Sequence, residues 1–276
     1  MSLIITLSSD WNKNDYYVGI VKAKLLTEIP NVNVIDISHN ITHFNVTHSG
    51  FLLKHIYKNY PENTINIICV DTVIHKNKDK NKEENEEEDD EDKNYYAVKA
   101  NNRYFISANN GVFGLILEVD EIQAVYEFPC LQKDVNFPEN EIFTAIAKLI
   151  TEGNLAEFEV SSDKIKLTPL HQPTKMSNML NGNVIYIDSY GNAITNITKE
   201  LFYQNVHYGF EIIIETPTTK ITKISNNYND VECGELVAIF NSLGLLEIAQ
   251  RNNNFCKLYA VDESTRINIS FGKSLF

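Results

Sequence analysis

Several polar clusters stand where apolar runs end, and their side-chain types suit recognition of a polar small molecule. Asp10 comes at the close of the run 3–7, after Ser8-Ser9. Ser38-His39-Asn40 follows the run 32–37, and Asp71 follows 64–70. Asn109-Asn110-Gly111 comes after a later run, 103–107. A carboxylate accepts two hydrogen bonds at once, so Asp10 and Asp71 suit the vicinal hydroxyls of a ribose, or a cation. A lone Asp of this kind equally suits a turn or a helix cap, and the spacing leaves both readings open. His39, His43 and His48 fall within ten residues, in and around a loop, with no further ligand at a metal-binding spacing. No metal is expected there. The chain has no GxSxG, Cys/His constellation, GxGxxG or Walker sequence.

The elements that must hold these residues follow from periodicity. In the first half, short β-branched runs at 3–7, 32–37 and 64–70 alternate with helical patterns. Val18, Val21, Leu25 and Ile29 repeat at helical spacing up to Pro30, and Leu52, Leu53, Ile56, Tyr57 and Tyr60 repeat up to Pro61. This alternation predicts an α/β domain with a mostly parallel sheet flanked by helices, whose ligands sit beyond the carboxyl ends of the strands. Further on, 95–98 and 103–107 read as a hairpin across Asn101-Asn102. A helix over 139–152 turns Ile142, Ile146, Leu149 and Ile150 inward and ends at Gly153. Beyond the stretch holding Pro169 and Pro173, short strands recur at the spacing of a small β-barrel, at 184–188, 210–215, 220–224, 236–240, 245–249 and 267–271. A helix is expected near Leu201. In this second region IDSYGNAITNI (187–197) reads either as a ligand-facing hairpin or as a plain type I′ turn on Tyr190-Gly191-Asn192.

Length and charge bound the rest. A chain of 276 residues, 43% apolar and 22% charged, suits two domains: an N-terminal α/β domain over 1–163, a linker over 164–181 and a smaller C-terminal β-barrel over 182–276. The net charge of −13 disfavours nucleic acid and anionic membranes as partners. Four scattered cysteines without a CxxC pair suggest a reducing compartment. With no leader pattern and no apolar stretch of membrane length, the expected location is cytoplasmic. Residues 76–94 hold ten Asp and Glu against five Lys, a net of −5, with no apolar residue, which predicts a disordered acidic insertion.

Six segments in register, ITLSSDWNKNDYYVGIVKA, VIDISHNITHFNV, INIICVD, ISANNGVF, IDSYGNAITNI and AIFNSLGLLEIA, span nearly the whole chain. Together they resemble the S-adenosylmethionine (SAM) hydroxide adenosyltransferases, adenosine-forming SAM hydrolases related to the fluorinase and chlorinase enzymes. The resemblance implies an N-terminal α/β domain, a C-terminal β-barrel and a homotrimer. It further implies a SAM site between the N-terminal domain of one subunit and the C-terminal domain of the next. By that resemblance, Asp10 holds the ribose hydroxyls. Asp15 and Tyr17 contact the methionine end, Asp188 takes its ammonium, and Ser242 lies near its carboxylate. Phe44, Tyr190 and Tyr228 surround the adenine, and Asn192 reads its edge. SAM enters as substrate, and no cofactor is implied.

The catalytic positions depart from the family's pattern. Its Asp-Arg-His set falls in VDPGVGxxR and TFHGRD segments. Here Asp71 matches the Asp, while the segment after it reads TVIHKNK, with Lys78 at the Arg position. NFPENEIF puts Pro138 where the His would be. The reaction is displacement at the ribose 5′ carbon by water or hydroxide, with neutral methionine leaving a sulfonium, so it depends mainly on positioning and desolvating the nucleophile. Asp71 with Lys78, or with His39 or His75, is expected to orient the water. The alternative is a SAM or adenosine sensor that keeps the site and has lost the chemistry.

Overall fold

Six residues, Ile4–Ser9 (β1), form an inner strand of the first sheet, and five of the six are buried. The computed structural model describes residues 3–72, 94–129, 136–168, 172–206, 209–214 and 220–272. They divide into two compact units, 1–169 and 170–276.

In the first unit β1 is followed by Tyr16–Glu28 (α1), Asn33–Ser38 (β2), Val46–Ile56 (α2) and Ile65–Cys69 (β3). Then come Asn94–Ala100 (β4), Arg103–Ala108 (β5), Val112–Ile116 (α3), Ile122–Pro129 (β6), Thr144–Glu152 (α4) and Glu159–Val160 (β7). The sheet order is β2-β1-β3-β5-β4-β6-β7. The β2-β1-β3-β5 half is parallel, as the βαβ pattern predicts, and the β5-β4-β6-β7 half is antiparallel. Apolar residues of α1 and α4 pack on one face of this sheet, and α2 and α3 close the other. Asn101 and Asn102, at φ 47° and 57°, make the tight turn between β4 and β5 that asparagines tolerate. Asn94, the last residue of the expected acidic insertion, is already in β4, and the remainder of that run lies outside the described residues.

The second unit runs through Thr174–Met176 (β8), Met179–Ile187 (β9), Ala193–Thr198 (β10), Lys199–Asn205 (α5), Phe210–Ile214 (β11) and Lys220–Ile221 (β12). It continues through Leu236–Phe240 (β13), Leu245–Gln250 (β14), Phe255–Tyr259 (α6) and Arg266–Phe271 (β15). The antiparallel order is β12-β11-β15-β9-β10-β14-β13, with β8 on β9. Ile224 bridges to Ala238 on β13, so the sheet curls into a nearly closed barrel around Leu180, Ile197, Leu246 and Ile267. Two features occupy the stretch expected as a linker. Ile165 is buried in the first unit's core, and β8 pairs with β9 across a turn at Ser177 (φ 26°).

Candidate functional site

Because β1, β2 and β3 are parallel neighbours, the three expected strand-end clusters open on the same end of the sheet. Asp10 is buried there, and its Oδ2 accepts the Phe44 backbone N–H at 2.8 Å. The Asn12 N–H donates to the His39 carbonyl at 2.9 Å, tying the loop after β1 to the loop after β2. His39 is buried as well. Its Nδ1 shares a 2.7 Å hydrogen bond with Ser9 Oγ, and its Nε2 lies 3.2 Å from Asp36 Oδ1. His48 Nδ1 is engaged with Thr42, so the histidines serve separate local contacts. Among the described residues, no three His, Cys, Asp or Glu side chains are grouped as a metal ion would require.

Phe44 takes φ 60° and leaves its ring 72% exposed, next to the carboxylate that its own N–H binds. Asp71 is also left-handed, at φ 49°. Asn110 Nδ2 donates to the carbonyls of Val70 at 2.9 Å and Asp71 at 3.0 Å, clamping that bend. A non-glycine residue in this region stores about 1–2 kcal/mol, which such a clamp must offset. Asp15 is the exposed N-cap of α1 and makes no side-chain capping bond. Tyr17 packs edge-on to Phe137 at 5.2 Å and near Trp11 at 5.8 Å. Lys78 and His75 lie outside the described residues.

Sequence reading passed over Glu139. It opens a π-helical turn, Glu139–Phe143, immediately after Pro138, and is buried. The Thr72 hydroxyl donates to its Oε1, and Thr72 is itself buried beside Asp71. Burial pushes the Glu139 carboxyl above the usual carboxylate range, while the Thr72 bond pulls the other way and the Asp10 charge adds to the rise. A signal existed, since Glu139 is three residues before Ile142 and seven before Ile146, on the stripe already read as inward.

In the second unit Asp188 organises the loop between β9 and β10. Its Oδ1 accepts the N–H groups of Tyr190 and Asn192, both at 2.9 Å, and its Oδ2 accepts Asn192 Nδ2 at 3.0 Å. The loop is therefore an aspartate-centred turn closed by Asp188 N–H to Asn192 O at 3.1 Å, and not the plain type I′ alternative. Gly191 sits at φ 82°, and a Cβ there would meet Asn254 at 2.2 Å, so only glycine fits. A cleft of about 860 Å³ beside this loop is lined by Asp188, Tyr190, Asn192, Tyr228, Arg251 and Asn254. Ser242 lines a neighbouring cleft of about 400 Å³ on Tyr228's other side. The Tyr228 hydroxyl is raised in pKa by burial and by its bond to Glu247, a buried carboxylate that also accepts Asn241 Nδ2 at 3.2 Å. Arg251 and Asn254 were not singled out from sequence, although RNNN after β14 is a polar strand end like the others.

Thus Asp10, Phe44 and Asp71 gather at one sheet end, and Asp188, Tyr190, Asn192 and Tyr228 share one cleft. Each cluster by itself sets carboxylate oxygens near an exposed aromatic ring, which suits hydroxyls or a positive charge next to a flat group. Comparison with known proteins agrees on family and fold. Residues 5–82 match the SAM hydroxide adenosyltransferase N-terminal domain, and 182–268 match its C-terminal domain. The chain is 25% identical to an (R)-S-adenosyl-L-methionine hydrolase of Methanocaldococcus jannaschii, over 97% of this chain and 96% of that one. Its fold is similar to the crystal structure of a conserved protein from Thermotoga maritima (TM-score 0.78, 23% identity, 96% and 99% of the two chains). A second similar structure is a conserved protein from Thermus thermophilus (TM-score 0.71, 22% identity, 98% and 100%). No described helix is long and apolar enough to cross a membrane.

Proposed function

This chain belongs to the SAM hydroxide adenosyltransferase family, and on that premise we propose that it hydrolyses SAM to adenosine and L-methionine. The observation that carries the reading is a prepared polar and aromatic cluster on each of the two matched domains. Asp10 beside Phe44 is suited to ribose hydroxyls and a base, and Asp188 with Asn192, Tyr190 and Tyr228 to an ammonium and an adenine. Asp15, Tyr17 and Ser242 are assigned to the methionine end.

In this reading water attacks the ribose 5′ carbon and the electron pair of the carbon–sulfur bond returns to sulfur. Methionine leaves as a neutral thioether, so its departure needs no acid. What the protein must supply is a fixed, poorly solvated water, and Asp71 is the group assigned to orient it. The clamp of Asn110 on the Val70 and Asp71 carbonyls holds that backbone in place before substrate arrives. The proposal includes assembly as a homotrimer, which the mass from light scattering tests.

Incubation of the purified protein with SAM, with products resolved by chromatography in chloride and chloride-free buffer, tests the activity. Adenosine and methionine in equal amounts in both buffers are expected. Failure to form adenosine above the uncatalysed rate would sink the hydrolase reading.

A further inference from the structure

We propose that Glu139 accepts the proton of the attacking water. The inference rests on the hydrolase reading above and adds the residue that completes its proton balance. Glu139 is only 4% exposed, and the Thr72 hydroxyl fixes one of its carboxylate oxygens. Thr72 directly follows Asp71, so Glu139 is brought to the side chain next in sequence to the water-orienting residue. Asp10, the residue assigned to the ribose, lies close enough for its charge to act on Glu139.

A buried carboxylate ordinarily has a cation beside it. Among the described residues no cation pairs with Glu139. Among the described residues, the titratable groups whose charges act on it or feel its charge are Asp10 at the end of β1 and Cys69 on β3. Each of these is an acid in its own right and neither neutralises a carboxylate. Such an arrangement makes Glu139 hold protons more tightly than an exposed glutamate, which improves it as an acceptor near neutral pH. His39 shares its Nδ1 with Ser9 Oγ and turns its Nε2 toward Asp36, and Pro138 has no proton-accepting side chain.

The step balances. The water oxygen bonds to the 5′ carbon, the carbon–sulfur bond breaks toward sulfur, and one water proton passes to the Glu139 carboxylate and then to solvent. SAM cation and water become adenosine, methionine and a proton.

Steady-state kinetics across pH 4–9 on the wild type, Glu139→Gln, Asp71→Asn and Thr72→Val, with SAM affinity from calorimetry, test the assignment. Wild-type kcat is expected to fall on the acid side as Glu139 is protonated. Glu139→Gln is expected to bind SAM normally, to lose about 10²–10⁴-fold in kcat, and to lack the acid limb. Asp71→Asn keeps that limb at a lower kcat, and Glu139→Asp recovers part of the rate. Thr72→Val removes a bond to the charged form and moves the limb to higher pH, a readout that survives if Glu139→Gln fails to fold. Glu139→Gln turning over at the wild-type rate with its acid limb intact overturns the proposal, as does an unmoved limb in Thr72→Val. A wild type that binds SAM and never forms adenosine overturns the hydrolase reading and this assignment together.

Discussion

The backbone N–H of Phe44 donates to Oδ2 of Asp10 at 2.8 Å, so a carboxylate at the end of one strand fixes an exposed aromatic ring carried by the loop after the next. Ring and carboxylate are thereby placed as one unit. Asp10→Ala is expected to weaken SAM and adenosine binding at least tenfold by calorimetry, about 1.4 kcal/mol, because both the proposed diol acceptor and the anchor of Phe44 go together. Phe44→Ala is expected to weaken binding while keeping the Asp10 contact. Phe44→Gly should be the more stable of the two Phe44 variants by about 1 kcal/mol in urea unfolding, since the site has φ 60°.

Gly191→Ala places a methyl group against Asn254 and an L residue at φ 82°. A stability loss of about 2–3 kcal/mol in urea unfolding is expected, with loss of SAM binding because the Asp188 turn is displaced. Retained affinity would separate this loop from ligand recognition.

Tyr228→Phe keeps the ring and removes its hydroxyl bond to the buried Glu247. A stability loss of about 1–3 kcal/mol with near-normal adenosine affinity is the expected outcome. Tyr228→Ala should lose both. Thermal melts alongside calorimetry distinguish the two contributions.

Stability should depend on pH through Glu139. Its folded pKa is raised above the ordinary 4.5, so the native state holds a proton that the unfolded chain has already released. Stability from this group is fully present below the unfolded value and declines as pH rises through the folded one. Glu139→Gln lacks that decline. Its melting temperature should match the wild type near pH 4 and exceed it increasingly toward neutral pH. Equal melting curves across pH 4–8 would show that Glu139 titrates normally.

The strand ends were readable because β-branched runs terminate abruptly at Asp10, His39 and Asp71, and parallel pairing does the rest. The Asn101-Asn102 turn was readable because asparagine tolerates the left-handed conformation that a two-residue hairpin needs. Val112–Ile116 was not, because a five-residue helix with four apolar side chains around Gly114 has too few turns to show a period. β8 escaped notice because Pro173 and Pro169 argue against structure locally, while the pairing with Met179–Ile187 is set by the barrel. At the site, single carboxylates could be named from their positions. The Asp188 cage also requires knowing that its own loop supplies the donors, and the contribution of Arg251 and Asn254 depends on barrel curvature that no local pattern encodes.

Asp71 has a backbone that few side chains accept, and this shapes what its lineage can do. Asparagine and glycine, the residues most at ease in the left-handed region, are each one nucleotide change from aspartate. Either would leave the bend and the Asn110 clamp standing while removing the carboxylate. On the role proposed for Asp71, loss of turnover is thus a single substitution that the backbone of this bend does not oppose.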